Sequence, residues 1–285
     1  MPLAPDVETE LIRIVREAAK TEIMTRFRVM PDSAVHAKSA PDDLVTDADM
    51  HAEVHITHAV RSILPDALVI GEEAVSNRPT ILGGLATENH AVIIDPIDGT
   101  WNFAKGLTTF GVILAVTEKG ETVFGLLYDP VIDDWIVARK GGGTWYCRPG
   151  FDPLRLRISG DAPMEQTLGF VPLFMFPYET RMRLAGAIPG FRRIWSVRCS
   201  CHEYRLMTKG HADFSLSGTL NPWDHAAGAL AVEEAGGAVG LLDGRDYHPG
   251  ITRGGNLVTA RSQATLARIR ETFASLIPVD DADPK

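Results

Sequence analysis

The sequence predicts a mixed α/β (α+β) protein, on three observations. Its first segment repeats apolar residues at helical spacing. Residues 110–147 read as a meander of short strands broken by turn signals, and the second half alternates strand-like with helix-like segments. In order, Val7 to Phe27 places Leu11, Ile14, Val15, Ala18, Ala19 and Ile23 on one face, a helix with Asp6 as its cap. Residues 30–43, with Pro31 and Pro41, read as a loop. A second helix starts near Asp47 and is stopped by Pro65. Ala67–Gly71 and Ala91–Asp95 are short apolar runs that end in acids, the profile of buried strands with chemistry at their carboxyl ends.

Within the meander, Gly111–Thr117, Thr122–Tyr128 and Trp135–Ala138 are strands separated by Lys119-Gly120 and Asp129-Pro130. The triple glycine 141–143 is a strand bend, since no Gly-Lys-Ser/Thr follows it to make a phosphate loop. Leu154–Ile158 alternates as one more strand. Strands then follow at Thr167–Phe170, Ala212–Leu216, Ala238–Leu242 and Asn256–Ala260. Helices fall at Glu179–Ala187, Glu203–Lys209, Asp224–Ala235 and Gln263–Leu276. At 285 residues the chain is about twice the ~150 of a typical domain. It divides into lobes 1–150 and 151–285, continuous with each other, with the break near residues 147–160.

Composition narrows the function. Hydrophobic residues at 45% and charged residues at 23% are ordinary for a globular protein, long enough to bury a core without staples. A net charge of −9 without any Lys/Arg run repels nucleic acid and anionic lipid, so neither is an expected partner. Three cysteines suit a reducing compartment better than a disulfide framework. The acidic first ten residues do not make a signal peptide and no apolar run is membrane-length, so a cytoplasmic location is expected.

Four acidic clusters carry the chemistry: Asp43-Leu-Val-Thr-Asp-Ala-Asp49, Gly71-Glu-Glu73, Asp95-Pro-Ile-Asp-Gly-Thr100 and Trp223-Asp224. One acid at a strand end is most often a turn or cap residue, and Glu72-Glu73 alone would read as a solvated loop. Four together point to hard divalent cations, which take oxygen ligands. Pro96 fixes a torsion so that Asp95, Asp98 and the Ile97 carbonyl can face one site. Gly99 allows close backbone approach, and the Gly99 and Thr100 amides could receive a phosphate. Two metals would suit attack of water on a phosphoryl group.

Ile94-Asp-Pro-Ile-Asp-Gly-Thr-Trp-Asn-Phe103 resembles the first signature of the inositol monophosphatase family of Mg²⁺-dependent, lithium-sensitive phosphatases. Trp223-Asp-His-Ala-Ala-Gly-Ala-Leu-Ala-Val-Glu-Glu-Ala-Gly-Gly237 resembles its second, and the four clusters stand in the family's order from about residue 5 to 276. The resemblance implies a five-layered αβαβα sandwich, a homodimer, and two or three Mg²⁺ per subunit. It implies that Glu72, Asp95 and the Ile97 carbonyl hold the first ion and that Asp95, Asp98 and Asp224 hold the second, with a third, weaker ion near Glu72. Thr100, paired with Asp49, would help Glu72 orient and deprotonate the attacking water, and Lys38 would lie near the metals. The substrate would be a small phosphorylated metabolite contacted by Asp98, Gly99, Thr100, Arg198, Cys199, Ser200, Ser217 and Asp224.

Two departures bear on substrate choice. Inositol-selective members carry a glutamate seven residues before the second-signature Asp, where this chain has Ser217. A short neutral side chain cannot accept the same pair of hydroxyl hydrogen bonds, a loss of about 1–3 kcal/mol. The usually small, glycine-containing stretch reads Val197-Arg-Cys-Ser-Cys-His-Glu203, where Arg198 adds charge and bulk. Both argue against myo-inositol 1-phosphate as the best substrate. Cys199 and Cys201 lack zinc-site spacing and read as pocket-lining or packing thiols, His225 as a packing residue, and Trp101 and Phe103 as packing beneath the metal loop. The open alternatives are fructose-1,6-bisphosphatase, 3′,5′-bisphosphate nucleotidase and histidinol phosphatase. Beyond these stand a catalytically silent binding or regulatory protein on the same fold, or acidic loops that merely cap helices in an unrelated α/β protein.

Overall fold

Helix α1 (Pro5–Ala18) starts with a proline at its first position and carries Asp6 and Glu8 in the first turn, opposite Arg16 in the last, which complements the helix dipole. Asp6 is not the cap: Ala4 holds that position without a side-chain hydrogen bond, and Pro5 sets the start instead. The structure, a computed structural model, describes residues 3–38 and 40–278, the side chain of Asp32 excepted. After Ala18 the helix widens into one π turn at Ala19–Ile23. The expected loop 30–43 contains strand β1 (Val35–Ala37), which pairs antiparallel with β2 (Leu44–Thr46). Helix α2 (Asp47–Ile63) opens with a capping box between Thr46 and Asp49.

A seven-stranded sheet follows in chain order: β3 (Leu68–Gly71), β4 (His90–Asp98), β5 (Gly111–Glu118), β6 (Glu121–Asp129), β7 (Asp134–Arg139), β8 (Gly143–Cys147) and β9 (Leu154–Leu156). Only β3 and β4 run parallel; every later pair is antiparallel. Gly143 is therefore the start of β8 after a tight turn rather than a bend within one strand. Short helices α3 (Glu72–Asn77) and α4 (Thr100–Ala104) grow from the ends of β3 and β4. The second sheet contains β10 (Leu168–Phe170), β11 (Arg193–Trp195), β12 (Phe214–Ser217), β13 (Ala238–Leu241) and β14 (Leu257–Ala260), in the order β11-β10-β12-β14-β13. Its helices are α5 (Tyr178–Ala187), α6 (Ser200–Thr208), α7 (Pro222–Glu234) and α8 (Gln263–Phe273).

The apolar runs of β4 and β5 exist because both faces of the large sheet are covered. Val92, Ile94, Val112 and Leu114 pack against Leu11, Ile14, Ala52 and Ile56 of α1 and α2. Ala91, Ile93, Ile113 and Ala115 face the other way, onto Cys201, Tyr204 and Met207 of α6 and Ala226, Ala227 and Leu230 of α7. Phe170 joins that cluster from the second sheet. The far face of the second sheet buries Phe214, Leu216, Val258 and Ala260 under Leu184 of α5 and Leu266, Ile269 and Phe273 of α8. Helices, sheet, helices, sheet and helices make five layers, the αβαβα sandwich that the sequence resemblance implies. All three cysteines are free, and among the described residues no helix is long and apolar enough to cross a membrane.

Candidate metal centre and active site

The acids converge because three element ends do. Parallel pairing sets Gly71 of β3 beside Ile94 of β4, so Glu72 and Asp95 leave neighbouring strands at the same level. The β4–β5 register breaks between Asp95 and Asp98, a bulge that re-aims both carboxylates. Gly99 then takes φ +87°, and a Cβ there would stand 3.0 Å from the Thr109 carbonyl oxygen. Asp224 sits in the first turn of α7, behind Pro222. One carboxylate oxygen each from Asp95, Asp98 and Asp224 lie within 4.8 Å of one another.

Such crowding is costly for bare carboxylates. Burial, reinforced by the charges of Glu72, Asp98 and Asp224, raises the Asp95 carboxyl well above its ordinary range. Burial and Asp224 push Asp98 up to about 7. Burial pushes Glu72 to about 7 although Lys38 opposes it, and Asp224 to about 6 against Asn221 and Lys38. Asp95 is 1% exposed, and its Oδ1 is buried without a hydrogen-bond partner. The three grouped ligand atoms are carboxylate oxygens, so the residues fit a hard divalent cation.

Without a cation the sign of the pH dependence follows. These carboxyls hold protons in the fold that the unfolded chain releases from about pH 4, so stability falls as pH rises toward about 7. In chelator the melting temperature is expected to drop across that window, by the equivalent of a few kcal/mol, while saturating Mg²⁺ flattens the drop. A melt series at several pH values with and without Mg²⁺ checks it, and parallel curves would refute it.

The neighbouring side chains are held by name. Lys38 Nζ donates to Glu72 Oε1 at 2.8 Å and to Glu73 Oε1 at 2.7 Å. The Thr100 hydroxyl reaches the Ile97 carbonyl at 2.9 Å and Asp49 Oδ1 at 3.1 Å; with one proton it donates to one of them at a time. Burial pushes Asp49 up to about 7. Asp98 Oδ2 accepts from the Cys199 thiol at 3.1 Å and from the Cys201 amide, which leaves its other oxygen for the cluster.

Glu53 was not legible as functional in the sequence. It lies one turn after Asp49 on α2, and its carboxylate accepts from the Glu73 and Ala74 amides at 2.8 and 2.9 Å. It thus caps α3, which Glu72 begins, and Gly71 lacks a Cβ where that carboxylate passes. The only sequence signal is the four-residue spacing from Asp49. Glu53→Gln, which turns one acceptor into a donor facing an amide, is expected to cost about 1–3 kcal/mol in stability. It is also expected to weaken Mg²⁺ binding about tenfold, read by urea melts and calorimetry.

A cavity of about 170 Å³ opens on these carboxylates. Gly99, Thr100, Arg198, Cys199 and Ser200 line it together with the acids. Ser217 does not: it is 7% exposed, donates to the Thr219 carbonyl at 3.1 Å, and lines a smaller neighbouring cavity. Arg198 lies over Trp101 at 4.8 Å and Phe174 at 5.0 Å, and pairs with Asp42 at 3.2 Å. Trp101 is therefore part of the cavity wall, correcting the expectation that it packs beneath the loop; Phe103 does pack there, 2% exposed. The sequence reading also passed over Phe174, Met175 and Glu203 of the same wall. Burial raises Glu203 to about 8 while it accepts from the Val197 amide at 3.0 Å. His225 turns away, bonded to Tyr204 and the Thr219 carbonyl, and burial lowers it to about 4.

Comparison with known proteins agrees with this geometry. The model of the inositol monophosphatase family matches residues 6–277. Fructose-1,6-bisphosphatase/inositol-1-monophosphatase of Thermotoga maritima is 31% identical over 219 residues, 74% of this chain and 77% of its own. Nus factor SuhB of Escherichia coli K12 is 30% identical over 280 residues, 93% of this chain and 96% of its own. A solved Thermotoga maritima IMPase shares 25% identity with a TM-score of 0.77, over 95% of this chain and 99% of that one. Inositol monophosphatase II of Staphylococcus aureus, 19% identical, shares the fold with a TM-score of 0.75 over 95% of this chain and 92% of its own. With the two signature-like segments on converging strand and helix ends and the family model matching residues 6–277, the chain belongs to the inositol monophosphatase family.

Proposed function

We propose that this chain is a Mg²⁺-dependent phosphomonoesterase that hydrolyses a small phosphorylated metabolite with water as the nucleophile. The observation that carries the reading is the unpartnered Oδ1 of buried Asp95 amid three further acids. Glu72, Asp95, Asp98, Asp224 and the Ile97 carbonyl would hold two or three Mg²⁺. When bound, the ions neutralise charge on the phosphoryl group and lower the pKa of water. Thr100 can donate its hydroxyl hydrogen bond to Asp49, so the proton that the attacking water gives up would pass through the Thr100 hydroxyl to Asp49, while Glu72 would orient that water. The Gly99 and Thr100 amides, at the left-handed turn into α4, would receive phosphoryl oxygens.

Substrate class rests on the wall. Ser217 is tied to Thr219 and offers no carboxylate to a polyol, while Arg198 lies across the mouth. A polyol or sugar phosphate other than inositol 1-phosphate is the preferred class, with fructose 1,6-bisphosphate, a 3′,5′-bisphosphate nucleotide and histidinol phosphate as the alternatives. Phosphate release from these four esters, with and without Mg²⁺ and with Asp98→Asn as control, tests the reading. One preferred Mg²⁺-dependent substrate supports it. Silence from folded protein that binds Mg²⁺ favours the second reading, a binding role without catalysis, which the likeness to Nus factor SuhB over 93% of the chain motivates. Lithium inhibition, a cytoplasmic homodimer and continuous lobes 1–150 and 151–285 complete the proposal.

A further inference from the structure

Beyond the far end of α4 from Thr100 lies a second cleft, of about 390 Å³, that shares no lining residue with the carboxylate cavity. Arg26, Arg28 and Lys105 line it, with Met30, Val35 and Phe103 as its apolar part, and among the described residues no acid does. In a chain of net charge −9 this is a local inversion of sign.

The three cations are not equivalent. Arg26 is neutralised by Glu22, with Nη1 2.9 Å from Oε2. Arg28 is fixed on three sides without being neutralised. Its backbone is left-handed at φ +63°, uncommon for a residue with a side chain. Its Nε donates to the Gly106 carbonyl at 2.9 Å. Its guanidinium lies 5.0 Å over Phe27, whose ring in turn stacks on Phe103 at 5.6 Å. Among the described residues neither terminal nitrogen of Arg28 has a hydrogen-bond partner, and Lys105 has no ion pair. A guanidinium whose rotamer and edge are already set loses little entropy on capturing an anion, and its free nitrogens match a tetrahedral oxyanion.

We propose that this cleft binds the phosphoryl group of a small soluble metabolite, held by Arg28 and Lys105, with Met30 and Val35 against its carbon skeleton. A bare phosphate would leave most of the volume unused, so an organic phosphate is the fitting class. The inference does not depend on the phosphatase reading, since no residue of the metal centre takes part.

The test titrates inorganic phosphate into the intact protein in chelator, at constant ionic strength, by calorimetry. The titration is run at about pH 8, where the metal-free carboxylate cavity carries net negative charge and does not compete for the anion. Saturable binding is expected, weakened about tenfold or more by Lys105→Gln and further by Arg28→Gln combined with it. Arg253→Gln, an exposed cation elsewhere, is expected to change nothing. Among the described residues the Lys105 side chain makes no hydrogen bond or ion pair, so the effect of Lys105→Gln is not one of misfolding. Absence of saturable binding, or equal affinity in the parent and the Lys105→Gln protein, overturns the proposal. Sedimentation with phosphatidylglycerol vesicles separates a free phosphate from a lipid headgroup; the protein is expected to stay in solution, and capture by the vesicles overturns the soluble-ligand assignment.

Discussion

Asp95→Asn is expected to lower Mg²⁺-dependent phosphate release by at least about a thousandfold, equivalent to about 4 kcal/mol of transition-state stabilisation. The same change is expected to make the metal-free protein more stable. Both follow from one circumstance. Asp95 is 1% exposed, its Oδ1 has no partner, and Glu72, Asp98 and Asp224 all raise its carboxyl. An amide of the same shape removes the charge that a cation needs and, with it, the repulsion that the apo fold bears. Melting curves should therefore cross over: Mg²⁺ raises the parent's midpoint clearly, and leaves the variant, which starts higher, unmoved. Turnover retained by the variant would remove Asp95 from the metal centre. A variant less stable in chelator would mean that the carboxylate serves packing instead.

The layers were legible in the sequence wherever burial on both sides left an unbroken apolar run. Val92–Ile94 and Val112–Val116 read as strands because helices cover both faces of the large sheet. Helix starts were less secure. Asp6 has the side chain of a cap, but Pro5 just before it already satisfies the first helical position, and Ala4 takes the cap. Strand β1 escaped notice because three residues between two prolines carry no period. At the site, the acids could be found because Asp-Pro-Ile-Asp-Gly-Thr encodes a bulge and a left-handed turn locally. Glu53 and the surroundings of Arg198, itself named from the sequence, show what a local reading misses. Glu53 acts across 20 residues of chain on the amides of α3. Arg198 gets its aromatic neighbours from Trp101 and Phe174, which only the packing of the two sheets brings together.

Arg205→Ala is expected to cost about 3–5 kcal/mol of stability, as much as truncating a buried core side chain. Arg205 is 4% exposed and reaches from α6 into the large sheet, where Nη1 donates to the Leu127 carbonyl of β6 at 2.9 Å and Nη2 pairs with Asp134 of β7. Asp134 is 1% exposed, and its other oxygen accepts from the Tyr146 hydroxyl at 2.6 Å. Truncating the arginine leaves that carboxylate buried with one neutral donor, and takes a charged donor from the Leu127 carbonyl. The penalty comes from the group left behind rather than from the pair itself. Arg205→Met with Asp134→Leu is therefore expected to recover part of the loss, because the Asp134 charge goes with its partner, while Asp129, 4.0 Å from Nη2, loses that neighbour and keeps His202 at 3.8 Å. Urea melts of the three proteins decide it, and a cost below about 1 kcal/mol for Arg205→Ala would mean that water reaches the pair. The site is affected through the same helix. The N-terminus of α6 supplies the Cys201 amide, and its cap residue the Cys199 thiol, that orient Asp98. If Arg205 is what fixes α6 to the sheet, the single variant should also bind Mg²⁺ more weakly at temperatures where it is still folded, and the apolar double variant should regain affinity in step with its stability.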